Sequence, residues 1–509
     1  MGVRDIKPSF VPLSRLVNGA AVFRMDRFLT PDDDGRARLV AATEAVVDAV
    51  NRHAVAGAWS GADPAAMATA IEALDPLPEL GVPFEQVIDE VSAVVLAHSV
   101  RPADPTCVAH LHSPTLIDAA ATEVAIGAIN QSMDSFDQAP AATLVEDRLV
   151  RRLAEIVGLP SSSSGVMTAG GTASNLLGLV LAREAASRRL GFDVAADGLP
   201  NEARSWRIVT SAAAHFSVER AAMLMGLGRN AVVTVATDRD GAVDSVAFDT
   251  TVDALGRSGL VPIAIVGTAG TTDLGAIDPL AHLADRAVEL DAWFHVDAAV
   301  GGAFAAHPEL AVRLSGIERA DSVTVDLHKL WWQPISASAL LVADEHSFDL
   351  IRRHSEYLDR EEDAELGVLN LVGRSLDTSR RFDALKALVS LRTLGRDGMA
   401  EMLGKLVDVA AGAAEAIEAH ARFELAAEPS SVMVVFRWVG DGSLSDETLD
   451  GVNIEVQRRL FDDGRAVIGR TRYGRRVMLK FTVVNPELVT QNLVLLLDAV
   501  DAEASRISR

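Results

Sequence analysis

Between residues 165 and 343, short apolar runs alternate with longer amphipathic ones, and no other feature of the chain constrains its fold as tightly. Strands are expected at 165–168, 207–211, 231–235, 261–267, 292–297, 321–326 and 337–343, with helical stretches between most of them. Parallel strands need a crossover long enough to hold a helix, so this alternation implies an α/β domain with a mainly parallel sheet. Ligands of such sheets lie beyond the carboxyl ends of the strands. Chemistry is therefore to be sought in the residues that end each strand or follow it.

The flanks read differently. Residues 31–35, Pro-Asp-Asp-Asp-Gly, look like an exposed turn, and helical spacing follows at 37–53. An amphipathic helix is expected at 85–98, with Val87, Ile88, Val91, Val94 and Val95 on one side. Helices are also expected from 115 to about 133 and at 143–157, separated by a break at 134–140. After 382 come helices to 394 and at 400–420, an extended run 431–439, a helix near 453–461, an extended run 477–484 and a last helix 487–502. This divides the chain into a helical N-terminal segment (1–113), a large α/β domain (114–381) and a small α+β domain (382–509).

Composition narrows the function. A net charge of −24 speaks against a nucleic-acid partner. No apolar run approaches the ~18 residues of a membrane span, and charged residues scattered through the first 25 positions leave no secretory core. Cys107 is the only cysteine, which rules out an intrachain disulfide and a cysteine-cluster metal site. The twelve histidines show no HExxH-like spacing, so no metal is expected, and a reducing, cytoplasmic setting is.

Five strand ends carry candidate chemistry. The run 167–177 reads strand, glycine turn, helix: Gly170 and Gly171 permit close backbone approach, and Thr172 and Ser174 bring hydroxyls to a helix N-terminus that favours an anion. Alone, that pattern is equally a capped helix. His215 follows the second strand, where a ring can stack on a flat ligand. Thr271 and Thr272 follow another. Asp297 ends the strand of Trp293-Phe-His-Val-Asp297, with the small Ala298 and Ala299 next. His328 and Lys329 end the strand that starts at Asp321, and Trp331 and Trp332 follow; an apolar wall there would favour the neutral amine, which can form a Schiff base. A lone His-Lys pair would be read as surface. A phosphate cradle, a stacking ring, a carboxylate and an amine together meet the needs of pyridoxal 5'-phosphate. His110 and His112, in a short extended piece, read as packed strand residues rather than catalysts.

These stretches, Gly170–Asn175, His215, Gly270–Thr272, His295–Ala299 and Asp321-Ser322 through Lys329, resemble the motifs of the group II pyridoxal-phosphate-dependent amino acid decarboxylases. The similarity covers roughly residues 80–500. It implies the type I fold, with a seven-stranded, mainly parallel sheet in the cofactor-binding domain, and homodimers whose sites lie at the interface. It implies Lys329 as the covalent cofactor lysine and Asp297 as partner of the ring nitrogen. Ala299 and His215 would sandwich the ring, Thr172, Ser174, Ser322 and His328 would hold the phosphate, and Thr272 would assist beside the ring. Tyr357, one of two tyrosines, precedes the acidic run 359–363; the resemblance makes it a loop phenol that protonates the substrate carbon after carbon dioxide leaves. The runs 107–114, 130–138 and 468–472 look like a bacterial branch containing the L-2,4-diaminobutyrate decarboxylases and siderophore-pathway lysine decarboxylases. The substrate is thus expected to be an L-amino acid, first a diamino acid such as L-2,4-diaminobutyrate. Lysine, another aliphatic, acidic or aromatic amino acid, or a related lyase or oxidative deamination are the alternatives. Lys480, Arg470 and Arg472 are candidates for the substrate carboxylate.

Overall fold

The computed structural model describes residues 28–352 and 368–509. Contacts divide the chain into two units. The first, Met1–Ala54 with Pro76–Leu96, contains the helices Asp33–Arg52 and Phe84–Val94. Arg52 and His53 tie the two together on Asp89, at 2.9 and 3.1 Å. The acidic run that resembles a turn in sequence is the start of the first helix. Asp32 caps it by accepting from the Gly35 N–H, and Asp33 and Asp34 sit in the first turn, where the helix dipole favours them.

The second unit, Val55–Asp75 with Ala97–Arg509, holds two sheets. In chain order its strands are β1 (Cys107–Val108), β2 (Ser164–Thr168), β3 (Trp206–Ser211), β4 (Val232–Val235), β5 (Val261–Thr268), β6 (Trp293–Asp297), β7 (Ser322–Asp326), β8 (Ser338–Val342), β9 (Phe423–Leu425), β10 (Met433–Trp438), β11 (Val467–Tyr473) and β12 (Arg476–Thr482). The larger sheet has the order β2-β8-β7-β6-β5-β3-β4, so all seven expected strands form one sheet. It is parallel except for β8, which runs antiparallel to both β7 and β2. The connection 327–337 is too short for a crossover and contains no helix, so β8 has to turn back. Lys329 lies in that short return.

β6, β7 and β8 are buried along almost their whole length, as expected where helices cover both faces. The helix Gly171–Arg189 packs on this sheet through Leu177, Leu179, Leu181 and Ala182. Full burial of each such leucine contributes about 1.5–3 kcal/mol. Gly178 sets how closely the helix approaches: a Cβ there would stand 2.8 Å from the His295 ring, and the helix would have to lift off β6.

The smaller sheet has the order β1-β11-β12-β10-β9, with β1 joining parallel to β11 and the others antiparallel. Neither β9 nor β11 is expected from sequence. β9 is three residues long, and β11 alternates into exposed Arg470 and Arg472 at an open end. The two helices expected after 382 are both present in the span Ala384–Glu418, separated by Gly395, whose φ of +71° and ψ of 173° are not helical. Pro140 begins the helix Pro140–Val157 rather than preceding it, because its missing N–H costs nothing in the first turn. Among the described residues, no helix is long and apolar enough to cross a membrane.

Candidate active site

The strand ends converge on a cavity of about 590 Å³. Thr172, His215, Thr272, Asp297, Ala299, His328 and Lys329 all line it, as do Gly170 and Gly171. Ser174 and Ser322 do not. Ser174 is fully buried, its hydroxyl within 2.6 Å of Thr168 Oγ1 and 3.1 Å of Ser338 Oγ. Ser322 begins β7, roughly 13 Å along the strand from the cavity end at ~3.3 Å per residue. Its hydroxyl serves Trp293 Nε1 and His295 Nδ1 instead, both at 2.8 Å. Tyr357 lies outside the described residues.

Lys329 Nζ stands 2.8 Å from Asp326 Oδ2. Asp326 ends β7 and is buried; its other oxygen accepts from the Ser338 hydroxyl at 2.6 Å. The lysine's partner is therefore a carboxylate, and the tryptophan wall read from the sequence is absent from the cavity lining. Trp332, at φ +53°, turns inward and donates from Nε1 to the Val484 carbonyl at 2.8 Å. The Lys329 carbonyl accepts from Ser113 Oγ at 2.7 Å, which fixes the turn that carries the amine.

Asn175, on the helix Gly171–Arg189, is the hub of the site. Its Nδ2 donates to Asp297 Oδ2 at 2.7 Å and to Ser217 Oγ at 2.8 Å. A carboxylate only accepts, so Asn175 Oδ1 must face the other way. There it accepts from Thr324 Oγ1 at 2.7 Å and from His295 Nε2 at 3.0 Å. His295 thus carries its proton on Nε2, and burial pulls its pKa down to about 4. The Ser217 hydroxyl lies 2.9 Å from His215 Nδ1 and donates to it, leaving His215 Nε2 as the protonated nitrogen. Burial also lowers the His215 pKa, against the pull of Asp297. Asp297 Oδ1 accepts from the Ala299 N–H at 3.1 Å. One amide therefore orients both the carboxylate and, through Ser217, the imidazole.

At the other end of the cavity the nineteen-residue helix Gly171–Arg189 presents its N-terminus, and no side chain caps it. Its first N–H groups and dipole remain available to an anion. Gly171 lies against Asp326, where a Cβ would stand 3.0 Å from both carboxylate oxygens. Gly270, at φ +97°, lets the loop after β5 pass Val300, which a Cβ would approach to 2.9 Å. Lys480 is not among the lining residues, but its Nζ donates at 2.9 Å to the carbonyl of Thr272, which is, and burial lowers the lysine's pKa. Arg470 and Arg472 are exposed and do not line the cavity. His110 and His112 lie near enough to be influenced by Lys480 and by His328 respectively, and burial lowers both pKa values.

The sequence reading assigned no role to Asp326, Asn175 or Thr268, all of which line the cavity. Asp326 and Thr268 had one available signal, since each is the last residue of its strand. The residues present suit pyridoxal phosphate: an uncapped helix end for a phosphate, a buried carboxylate for a ring N–H, a primary amine for an aldehyde, and His215 and Ala299 for a flat ring.

Comparison with known proteins agrees with that cofactor. Residues 70–439 match the pyridoxal-dependent decarboxylase conserved domain. L-2,4-diaminobutyrate decarboxylase of Rhizobium meliloti (strain 1021) is 37% identical over 488 residues, 95% of each chain. That of Acinetobacter baumannii is 39% identical over 435 residues, 84% of this chain and 85% of the relative. The crystal structure of the glutamate decarboxylase domain of diaminobutyrate-pyruvate transaminase and L-2,4-diaminobutyrate decarboxylase from Vibrio parahaemolyticus superposes with a TM-score of 0.86 at 38% identity, covering 94% of this chain and 98% of that one. Oryza sativa TDC with PLP and tryptamine also gives a TM-score of 0.86, at 25% identity over 95% of this chain and 100% of that one. With the matched domain spanning most of the chain and a cavity that answers each feature of the cofactor, the protein belongs to the pyridoxal-dependent decarboxylase family.

Proposed function

We propose that the protein removes the α-carboxylate of L-2,4-diaminobutyrate as carbon dioxide and releases the corresponding diamine. The observation that carries this substrate is the similarity, over 95% of the chain, to a decarboxylase of that amino acid. Pyridoxal phosphate, when bound, supplies an aldehyde that takes up an amine and a ring that accepts the electron pair left as the carboxylate departs. Lys329 provides the amine that holds the cofactor. Asp297, braced by Asn175 and the Ala299 N–H, keeps a proton on the ring nitrogen. The N-terminus of the Gly171–Arg189 helix, with Thr172 and His328, binds the phosphate. His215 and Ala299 take the two faces of the ring, and Thr272 borders it. Lys480, fixed on the Thr272 carbonyl, meets the substrate carboxylate. Tyr357 donates the proton that replaces carbon dioxide.

The working unit in this reading is a homodimer with sites at the interface. Exposed Ile117, Val124 and Ile129 on one helix support it, since apolar side chains of this size favour cover. A cytoplasmic location suits the buried free thiol of Cys107.

Carbon dioxide release from a panel of L-amino acids tests the substrate. We expect kcat/KM for L-2,4-diaminobutyrate to exceed that for lysine, glutamate and tryptophan by at least about tenfold, a difference of ~1.4 kcal/mol in transition-state binding. A higher value for any of the others reassigns the substrate. Aldehyde and ammonia in place of amine would mean oxidative deamination. In Tyr357→Phe the amine-to-carbon-dioxide ratio should fall below that of the unaltered enzyme under air; an unchanged ratio and rate would remove Tyr357 from the reaction.

A further inference from the structure

Thr268 ends β5 and is almost wholly buried, yet its hydroxyl has no hydrogen-bond partner. A buried hydroxyl left unpaired is unfavourable, and folded proteins rarely keep one without something to satisfy it. Of the buried side-chain atoms without a partner among the described residues, Thr268 Oγ1 alone belongs to a residue of the cavity wall.

Its position is fixed by the backbone. The Thr268 N–H donates to Asp278 Oδ2 at 2.8 Å, and its carbonyl accepts from the Asp278 N–H at 2.9 Å. Strand alternation puts Thr268 on the face of Ala264 and Val266, which pack among residues of the Gly171–Arg189 helix. In register, Val266 pairs with His295 and Thr268 with Asp297, so the threonine stands directly beside the carboxylate.

The strand on the other side of Asp297 provides an internal comparison. There Thr324 pairs with Asp297 in the same row, and its hydroxyl is used: it donates to Asn175 Oδ1 at 2.7 Å. Thr210, across β5 from Asp297's side, donates to the Val266 carbonyl at 3.0 Å. Three threonines border this part of the sheet, and only the one in the cavity wall is unpaired. Valine would fill the same space and suit a strand equally well, so packing gives no reason for the hydroxyl.

We propose that Thr268 is a further cofactor-binding residue, whose hydroxyl forms a hydrogen bond with bound pyridoxal phosphate beside the Asp297 contact. The inference rests on the cofactor occupying this cavity. The test compares Thr268→Val and Thr268→Ser with the unaltered protein, each stripped of cofactor. Two quantities are measured: the dissociation constant for pyridoxal phosphate, by absorbance titration, and the melting temperature with and without it. Thr268→Val should bind the cofactor about tenfold more weakly, and Thr268→Ser should return to within about twofold of the unaltered protein, the span of one neutral hydrogen bond. The cofactor-free melting temperature of Thr268→Val should stay level or rise, because its hydroxyl has no partner to lose. Unchanged affinity in Thr268→Val would overturn the proposal. So would a fall in the cofactor-free melting temperature as large as that of the loaded protein, which would make the hydroxyl structural. Borohydride fixation of the cofactor to Lys329 in the unaltered protein separates the two readings: without fixation it is the cavity assignment that fails.

Discussion

Two neighbouring strands each end in a buried aspartate, and the two are held in opposite ways. Asp297, at the end of β6, takes its hydrogen bonds from the neutral Asn175 amide and the Ala299 N–H. Asp326, at the end of β7, faces the Lys329 amine at 2.8 Å and the Ser338 hydroxyl at 2.6 Å. A carboxylate held by neutral dipoles keeps its charge available for a cation brought from outside. A carboxylate in an ion pair is already matched. Side by side in one sheet, the first is built to meet the ring N–H of a cofactor, and the second occupies the lysine until that lysine is used.

The largest effect that separates them should come from Asp297→Ala. Losing a preorganised charge contact of this kind costs on the order of 3 kcal/mol, about a hundredfold or more in turnover. Cofactor should still be fixed to Lys329 by borohydride. Turnover near that of the unaltered enzyme would end the distinction between the two aspartates. Asp326→Asn should act on capture instead. The Lys329 amine has to leave Asp326 to reach an aldehyde, and the 2.8 Å contact between them opposes that. Cofactor-free Asp326→Asn should therefore take up pyridoxal phosphate about tenfold faster at neutral pH, the scale of one charged hydrogen bond after exposure is allowed for. Slower uptake would assign Asp326 to holding the cofactor.

A third buried carboxylate sharpens the comparison with the smallest effect. Asp278 also relies on neutral donors, the N–H groups of Val243 and Thr268, both at 2.8 Å, and burial raises its pKa to about 6. Its contribution to stability is complete below the unfolded value near 4 and is lost as pH rises through about 6. His295 works the other way. With a folded pKa of about 4 and an unfolded one near 6.5, its contribution is complete above about 6.5 and is lost as pH falls toward 4. Between these values the two oppose each other. Urea denaturation of Asp278→Asn should therefore show stability falling more steeply on acidification from pH 6.5 to 4.5, by up to about 1.4 kcal/mol per pH unit. A slope equal to that of the unaltered protein would remove Asp278 from the balance.

Much of the site was legible because its signals are local. Alternation marks strands, glycine pairs mark turns, and polar residues after a strand mark the ligand end of a parallel sheet. Lys329, Asp297, His215, Thr172, Thr272, Ala299 and His328 follow from those signals and from the family resemblance, and all line one cavity. What sequence could not decide depends on neighbours far away in the chain. Ser174 and Ser322 looked as suitable as Thr172, but helix rotation and strand position put their hydroxyls against Ser338 and His295. Asn175 became the hub only because the helix carrying it lies across β6 and β7, which Gly178 permits. Lys329 met a carboxylate rather than tryptophan because the short return to β8 turns Trp332 into the core. Sequence by itself determined the elements and the residue types at their ends, since those follow from backbone propensity over a few positions. Which of those residues share a hydrogen bond was decided by strand register and helix packing, which are set by contacts a hundred or more positions apart.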